Sequence, residues 1–234
     1  MSSEWPFGDL PRGRSAAIVA DPPWSYACFS EKGKARSADR HYVTMAADAI
    51  EQLPVGELAA CDAHLFLWIP GPFLVRGMHL PVMRAWGFEP SSTAFVWIKP
   101  NRKAFANGGF FLDETLFAKG MGHTTRQNAE YVVLGRRGKP RRLCKDVHQL
   151  IIQPRREHSR KPDEFYARVE RYCTGPYVEL FSRQRRPGWT AWGDELDKFE
   201  PEYDAHDDFA KSLEEGYRVI RGRVAAGGPK WVPK

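Results

Sequence analysis

An α/β fold, with a mainly parallel sheet covered by helices on both faces, is what this chain of 234 residues predicts. Three observations carry the prediction. Apolar runs at Ala16–Ala20, Ala63–Ile69 and Thr93–Lys99 are short, β-rich and fully apolar at their centres, as buried strands are. Between them lie stretches with helix caps and terminating prolines, and that alternation calls for crossover connections and parallel strands. The first and third runs each deliver a polar residue at the end, Asp21 and Lys99. In open α/β sheets that carboxyl edge is where ligands bind.

Taken in order, residues 1–14 are polar with Trp5, Pro6 and Phe7, and read as a strap lying on the body. The strand Ala16–Ala20 stops at Asp21 because Pro22 and Pro23 allow neither helix nor ladder pairing. Ser25–Arg40 has no apolar period and reads as a basic loop leaving the strand end. Met45–Leu53 reads as a helix with Thr44 as N-cap and Pro54 as its stop. Gly71–Trp86 reads as a second helix, with Pro72 in its first turn, Gly87 at its C-terminus and Pro81 expected to kink it.

Residues 101–128 lack a period and mix phenylalanine with lysine and arginine, an inserted loop or small lobe. Ala129–Leu134 is a strand that turns at GRRGKPRR, a basic hairpin tip, and Val147–Gln153 is a further extended piece. Ser159–Cys173 is helical, with Ser159 as N-cap and Asp163 and Glu164 near the positive end of the helix dipole. Tyr177–Phe181 is a strand, and Trp189–Gly193 a short edge strand. Residues 1–198 thus form one catalytic-sized domain, and 199–234 an acidic-to-basic tail. Within the tail Phe209, Leu213, Tyr217, Ile220 and Val224 mark a helical face suited to the body, a homodimer or a heterodimer.

The net charge of +6 is unevenly spread. Lys99–Arg186 holds 20 Lys/Arg against 9 Asp/Glu, whereas Asp194–Glu215 holds 10 acids against two lysines. A basic body of that kind suits a polyanion. No run reaches the ~18 apolar residues of a membrane span, and MSSEWPFGDL is no signal peptide, so the cytoplasm is the expected compartment. Four cysteines without a C-x-x-C pair, and seven histidines without H-x-H or H-E-x-x-H, predict no disulfide framework and no metal site. A P-loop, a G-x-G-x-x-G and a G-x-S-x-G are all absent from the sequence.

What remains is Asp21-Pro22-Pro23-Trp24. Alone, it reads equally well as a turn with a packed indole. It also resembles the [D/N/S]-P-P-[Y/W/F] motif of S-adenosylmethionine-dependent methyltransferases that modify exocyclic amines of bases. Tyr42…Thr44-Met45, LFLW at 65–68, WGF at 86–88, FVWIK at 95–99, NAEYVVLGRRGKP at 128–140, HSRKPDEFY at 158–166 and ELFSRQRRPGWTAWGDEL at 179–196 then follow in order. That ordered set resembles the family of the mRNA N6-adenosine methyltransferase catalytic subunit and its bacterial and phage DNA-methylating relatives.

The resemblance implies a Rossmann-like methyltransferase sheet with a permuted motif order, the catalytic motif preceding the cofactor motif. It implies S-adenosylmethionine as cofactor, with Lys161 on the methionine carboxylate and Asp21, Phe181, Arg183, Arg185 and Arg186 lining it. Asp194 and Glu195 would meet the ribose hydroxyls, although the eukaryotic relatives carry Asn-Gln there and His-Asn in place of Arg185-Arg186. Asp21 and the Pro22 carbonyl would accept the two amino hydrogens of adenine, Pro23 would stiffen the turn, and Trp24 and Tyr42 would stack on the base. Lys99, Arg126 and Asn128 are the remaining substrate-binding candidates.

DNA is favoured over RNA as substrate, since neither zinc-finger spacing nor an RNP-like segment is evident and the layout looks prokaryotic or phage-encoded. An RNA methyltransferase, a cytosine-amine methyltransferase and a non-catalytic nucleic-acid-binding subunit are the alternatives. The intact Asp21 speaks against the last.

Overall fold

β1 (Ser15–Ala20) stands inside a seven-stranded sheet of order β5-β3-β4-β2-β1-β6-β7. The structure is a computed structural model that describes residues 5–25, 44–101, 117, 125–157 and 159–199. The other strands are β2 (Ala59–Ile69), β3 (Glu89–Ile98), β4 (Ala129–Arg137), β5 (Leu150–Ile152), β6 (Tyr177–Leu180) and β7 (Trp189–Trp192). The helices are α1 (Ala47–Glu51), α2 (Gly71–Val75), α3 (His79–Ala85) and α4 (Asp163–Tyr172). β1 pairs in parallel with both β2 and β6, and β6 in parallel with β7.

The sheet is mixed rather than mainly parallel on its other side, because β4 runs antiparallel to β2, with Ile69 opposite Tyr131 and Ala63 opposite Arg137. The expected basic hairpin is therefore no hairpin. β4 continues to Arg137, and the chain crosses past β3 before it reaches β5.

Alternation along the strands divides the core between the two faces. Ile18, Ala20, Leu65, Leu67 and Val133 join Ile50 of α1 and Val82 and Met83 of α3 on one side. Ala17, Val19, Phe66, Trp68, Val132 and Leu134 join Phe165 and Val169 of α4 on the other. With helices on both faces, the central strands have no solvent side, which is why AAIVA contains no polar residue. Phe7 of the N-terminal strap is buried and meets Trp192 edge to face at 5.0 Å.

Three helix boundaries differ from the sequence reading. The stretch 71–86 breaks at Gly77, whose φ of 69° is the left-handed conformation that favours glycine, rather than at Pro81. Pro81 is the third residue of α3, where a missing N–H leaves no intrahelical bond unmade. α1 starts at Ala47 after Ala46, with no side-chain cap, so Thr44 is not the N-cap; Met45 is instead engaged in a β-bridge. α4 starts at Asp163, and Ser159 lies four residues upstream with φ 68°, outside the extended conformation an N-cap adopts.

By Cα proximity the described residues divide into two compact units. The first holds 5–25, 44–97, 129–151 and 165–199; the second holds 98–101, 117, 125–128, 152–157 and 159–164. Ser25 apart, the expected loop of 25–40 lies outside the described residues, as do Tyr42, the helical face of the tail and most of 101–128. No helix among the described residues is long and apolar enough to cross a membrane.

Candidate active site

The carboxyl ends of β1, β6 and β7 lie side by side because the three strands are parallel neighbours. That places Asp21, Phe181–Arg183 and Gly193–Glu195 along one sheet edge. Sequence distances of about 160 residues vanish through β pairing alone.

The β1 exit is built almost entirely by backbone. Asp21 N donates to the Leu180 carbonyl at 3.4 Å, tying the turn to β6. Trp24 N donates to the Pro22 carbonyl at 2.8 Å, closing a tight turn. Met45 N donates to the Pro23 carbonyl at 2.8 Å and Ser25 N to the Met45 carbonyl at 3.0 Å, so the turn gains a bridge to the chain entering α1. Neither proline has an N–H to give to the ladder, and their carbonyls accept from Trp24 N and Met45 N. The Pro22 oxygen keeps a second lone pair beyond the Trp24 bond. Asp21 is half-buried at the tip.

Trp24 does not stand where a base would stack on it. It is 4% exposed, its indole Nε1 donates to the Trp68 carbonyl at 3.1 Å, and its ring meets Phe73 at 6.0 Å. The expectation of a stacking platform is corrected: both faces of the indole are enclosed by the core, and the residue anchors the turn.

At the β6 exit Phe181 has φ 60° and Ser182 N donates to the Trp192 carbonyl at 2.9 Å. Gly193 lies so close that a Cβ there would overlap the Ser182 carbonyl oxygen. Backbone meets backbone here, so the β6 and β7 exits pack directly on one another. Arg183 pairs with Glu195 at 3.4 Å, and Lys198 holds the same carboxylate at 2.5 Å. The Lys198 hydrogen bond, joined by the charges of Arg183 and Lys198, keeps the Glu195 carboxyl below its ordinary value. Glu195 thus already has two cations, while Asp194 is exposed. Arg185, mostly exposed, pairs with Asp197 at 3.1 Å.

Sequence reasoning missed a buried polar group beneath this edge. Glu179, 7% exposed in β6, accepts from Tyr166 Oη at 2.6 Å and lies 2.9 Å from Ser182 Oγ. Arg186 stacks its guanidinium 3.8 Å from the centre of the Tyr166 ring. Burial pushes the Glu179 carboxyl up, against the opposing hydrogen bonds and Arg186, and the negative charge of Asp21 adds to the rise. Burial likewise pushes the Tyr166 hydroxyl well up, with Glu179 next. The signal was there to read: a lone acid inside the apolar strand YVELF, with a tyrosine inside an apolar helix face.

Of the other candidates, Lys99 and Asn128 are brought together in the second unit, where Lys99 N donates to the Asn128 carbonyl at 3.1 Å. Arg126 and Lys161 belong to the same unit, Arg126 exposed and Lys161 half-buried. Among the described residues no cluster of His, Cys, Asp or Glu could hold a metal ion. The edge of the first unit combines a carboxylate at Asp21, guanidinium groups at Arg183 and Arg186 and an aromatic ring at Phe181. This donor set fits a ligand that carries an ammonium, a carboxylate and a planar base.

Comparison with known proteins identifies a family. Residues 16–195 match the MT-A70 family. A type II methyltransferase, M.MunI of Mycoplasma sp, is 29% identical over 211 residues, covering 81% of each chain. An N(6)-adenosine-methyltransferase MT-A70-like protein of Drosophila melanogaster is 29% identical over 79% of this chain, which spans 27% of that relative. The N(6)-adenosine-methyltransferase catalytic subunit METTL3 of Homo sapiens is 28% identical over 79% of this chain, which spans 29% of it.

Proposed function

Because the chain belongs to the MT-A70 family, matched over residues 16–195, we propose that it methylates the exocyclic N6 amine of adenine in DNA, with S-adenosylmethionine as donor. The observation that carries the reading is the Asp21 tip: a half-buried carboxylate beside the Pro22 carbonyl, at a sheet edge that β6 and β7 furnish with cofactor-suited groups.

An adenine amine is a weak nucleophile because its lone pair is delocalised into the ring. Asp21 and the free lone pair of the Pro22 carbonyl accept its two hydrogens, draw the nitrogen toward tetrahedral geometry and aim the lone pair. The Asp21 carboxylate then receives the proton the amine sheds on alkylation. The Trp24 N–H holds the Pro22 carbonyl in place, and the buried Trp24 ring fixes the turn, so alignment is built in before substrate arrives. S-adenosylmethionine, when bound, supplies a methyl group already activated on a sulfonium. Phe181, Arg183, Arg186 and Asp194 are the residues that would hold it, with Glu195 and Arg185 acting through their ion pairs. A target in duplex DNA would be flipped out, at a cost of a few kcal/mol.

DNA is preferred because the type II methyltransferase of Mycoplasma sp and this chain match over 81% of both. RNA is the second reading, favoured by the N(6)-adenosine methyltransferases, of whose length this chain spans less than a third. Nucleoside mass spectrometry after incubation with methyl-labelled donor and DNA or RNA separately tests both. Labelled N6-methyldeoxyadenosine is the expected product. Label only in RNA, only in cytosine or in neither polymer sinks the reading.

A further inference from the structure

The most basic segment of the chain does not border the candidate site. Residues 136–145 hold six cations, Arg136, Arg137, Lys139, Arg141, Arg142 and Lys145, and no acid. The strand register places them. β4 begins beside the carboxyl end of β2, with Tyr131 opposite Ile69, and near its end Arg136 lies opposite His64, which is itself beside Ala17 of β1. Asp21 lies four residues further along the chain, just past the end of β1, about 13 Å at the rise of a strand. The loop beyond Arg137 continues away from it. The basic loop therefore projects from the sheet edge opposite Asp21, within the same compact unit.

The loop is held in shape. Lys139 N donates to Asp62 Oδ1 at 2.7 Å, Leu143 N to the Tyr172 carbonyl at 2.8 Å and Cys144 Sγ to the Arg171 carbonyl at 3.2 Å. Arg137 is engaged with the Gly56 carbonyl. The side chains of Arg136, Lys139, Arg141, Arg142 and Lys145 are exposed, and among the described residues none has a carboxylate within ion-pair distance. The nearby acids are already used, Asp62 by the Lys139 backbone and Asp146 by Arg171. Five like charges on one short segment, none paired with a carboxylate among the described residues, repel one another, and an extended polyanion relieves that repulsion. A DNA duplex carries one phosphate charge per about 1.7 Å of axis.

We propose that residues 136–145 form a second contact for the duplex DNA backbone, one that holds flanking DNA on the sheet edge opposite the reacting residues. The proposal rests on the DNA reading above and adds a binding surface outside the site. It is tested on the full chain with the triple variant Arg141→Ala, Arg142→Ala, Lys145→Ala. Anisotropy of a labelled mixed-sequence duplex of about 40 base pairs is measured across a salt series without cofactor. The slope of log affinity against log salt should fall by about 2.7, at ~0.9 for each phosphate that the variant no longer neutralises. The thermal shift with S-adenosylmethionine should stay unchanged.

An unchanged slope overturns the proposal, and so does a weakening seen only with an RNA of equal length. The two readings fail separately. If the unmodified protein labels no DNA while the slope still drops, the function falls and the surface stands. If DNA is labelled and the slope does not move, the reverse holds.

Discussion

The indole of Trp24 donates a 3.1 Å hydrogen bond to the main-chain carbonyl of Trp68, fastening the turn after β1 to the end of β2. Because both residues are buried, the bond has no water to compete with it. Trp24→Ala should destabilise the fold by about 3–5 kcal/mol, as large aromatic deletions in cores do. Trp24→Phe keeps the ring against Phe73 but removes the buried donor to the Trp68 carbonyl, at about 1–3 kcal/mol. Urea denaturation reads both. A Trp24→Ala protein as stable as the unmodified one, with weakened substrate binding alone, would restore the stacking role.

Asp21 is half-buried at the tip, and its backbone is secured by Leu180 independently of its side chain. Asp21→Ala should therefore fold normally yet lose methyl transfer by about 10²-fold or more, the scale seen when one preorganised group is removed from a reacting centre. Asp21→Asn, which replaces one acceptor oxygen by a donor, should be nearly as poor. Single-turnover assays on DNA with a melting-temperature control check this; full activity in either variant removes the residue from the mechanism.

Glu179 accepts from Tyr166 and lies against Ser182, so one buried carboxyl joins α4 to the loop that carries Arg183. Glu179→Ala would leave the Tyr166 hydroxyl without this acceptor and should cost about 1–3 kcal/mol. Glu179→Gln keeps an acceptor and sheds a charge that burial disfavours, so it should be close to neutral in stability. Comparing the two in urea separates the hydrogen bond from the charge. Equal losses would mean that the charge itself matters.

His64 is 2% exposed, sits against Phe66 and Tyr172, and has its pKa pushed down to about 4 by burial first and by the Arg136 charge second. The unfolded chain takes up the proton near the ordinary value of 6.5, the folded chain only near 4. Acid thus favours the unfolded state: the His64 contribution is whole above pH 6.5 and is lost as pH falls toward 4. Stability measured across that window should decline, and His64→Phe should flatten the decline. An unaltered slope in the variant would falsify the assignment.

Gly193 permits the β6 and β7 ends to meet where a Cβ would overlap the Ser182 carbonyl. Gly193→Ala should push Ser182 or the β7 end aside and weaken S-adenosylmethionine binding by about tenfold or more, about 1.4 kcal/mol. Isothermal calorimetry measures it directly, and unchanged affinity would show that this approach is not part of the cofactor edge.

Much of this protein was legible in one dimension because the causes are local. A run such as AAIVA has nowhere to go but a buried strand, and Asp-Pro-Pro ends it regardless of context. Asp21 could be picked out because its motif marks a strand end, whereas Phe181 and Arg183 were marked only by the resemblance of their motif to a family. Other features needed neighbours far away in sequence. An indole is equally fit to stack on a ligand or to fill a core, and only Phe73 and the Trp68 carbonyl turned Trp24 inward. Glu179 stood out as a lone acid in an apolar strand, but only the fold brought Tyr166 and Ser182 to it. The basic run at 136–145 was plain as charge, but its position opposite Asp21 rests on β4 running antiparallel to β2, a matter of long-range pairing. Sequence determined which residues could act and where each strand had to stop, since those follow from the geometry of adjacent residues. The tertiary structure decided which way each side chain faced and which end of the sheet each charge occupied, because burial and strand direction are set by contacts between distant segments.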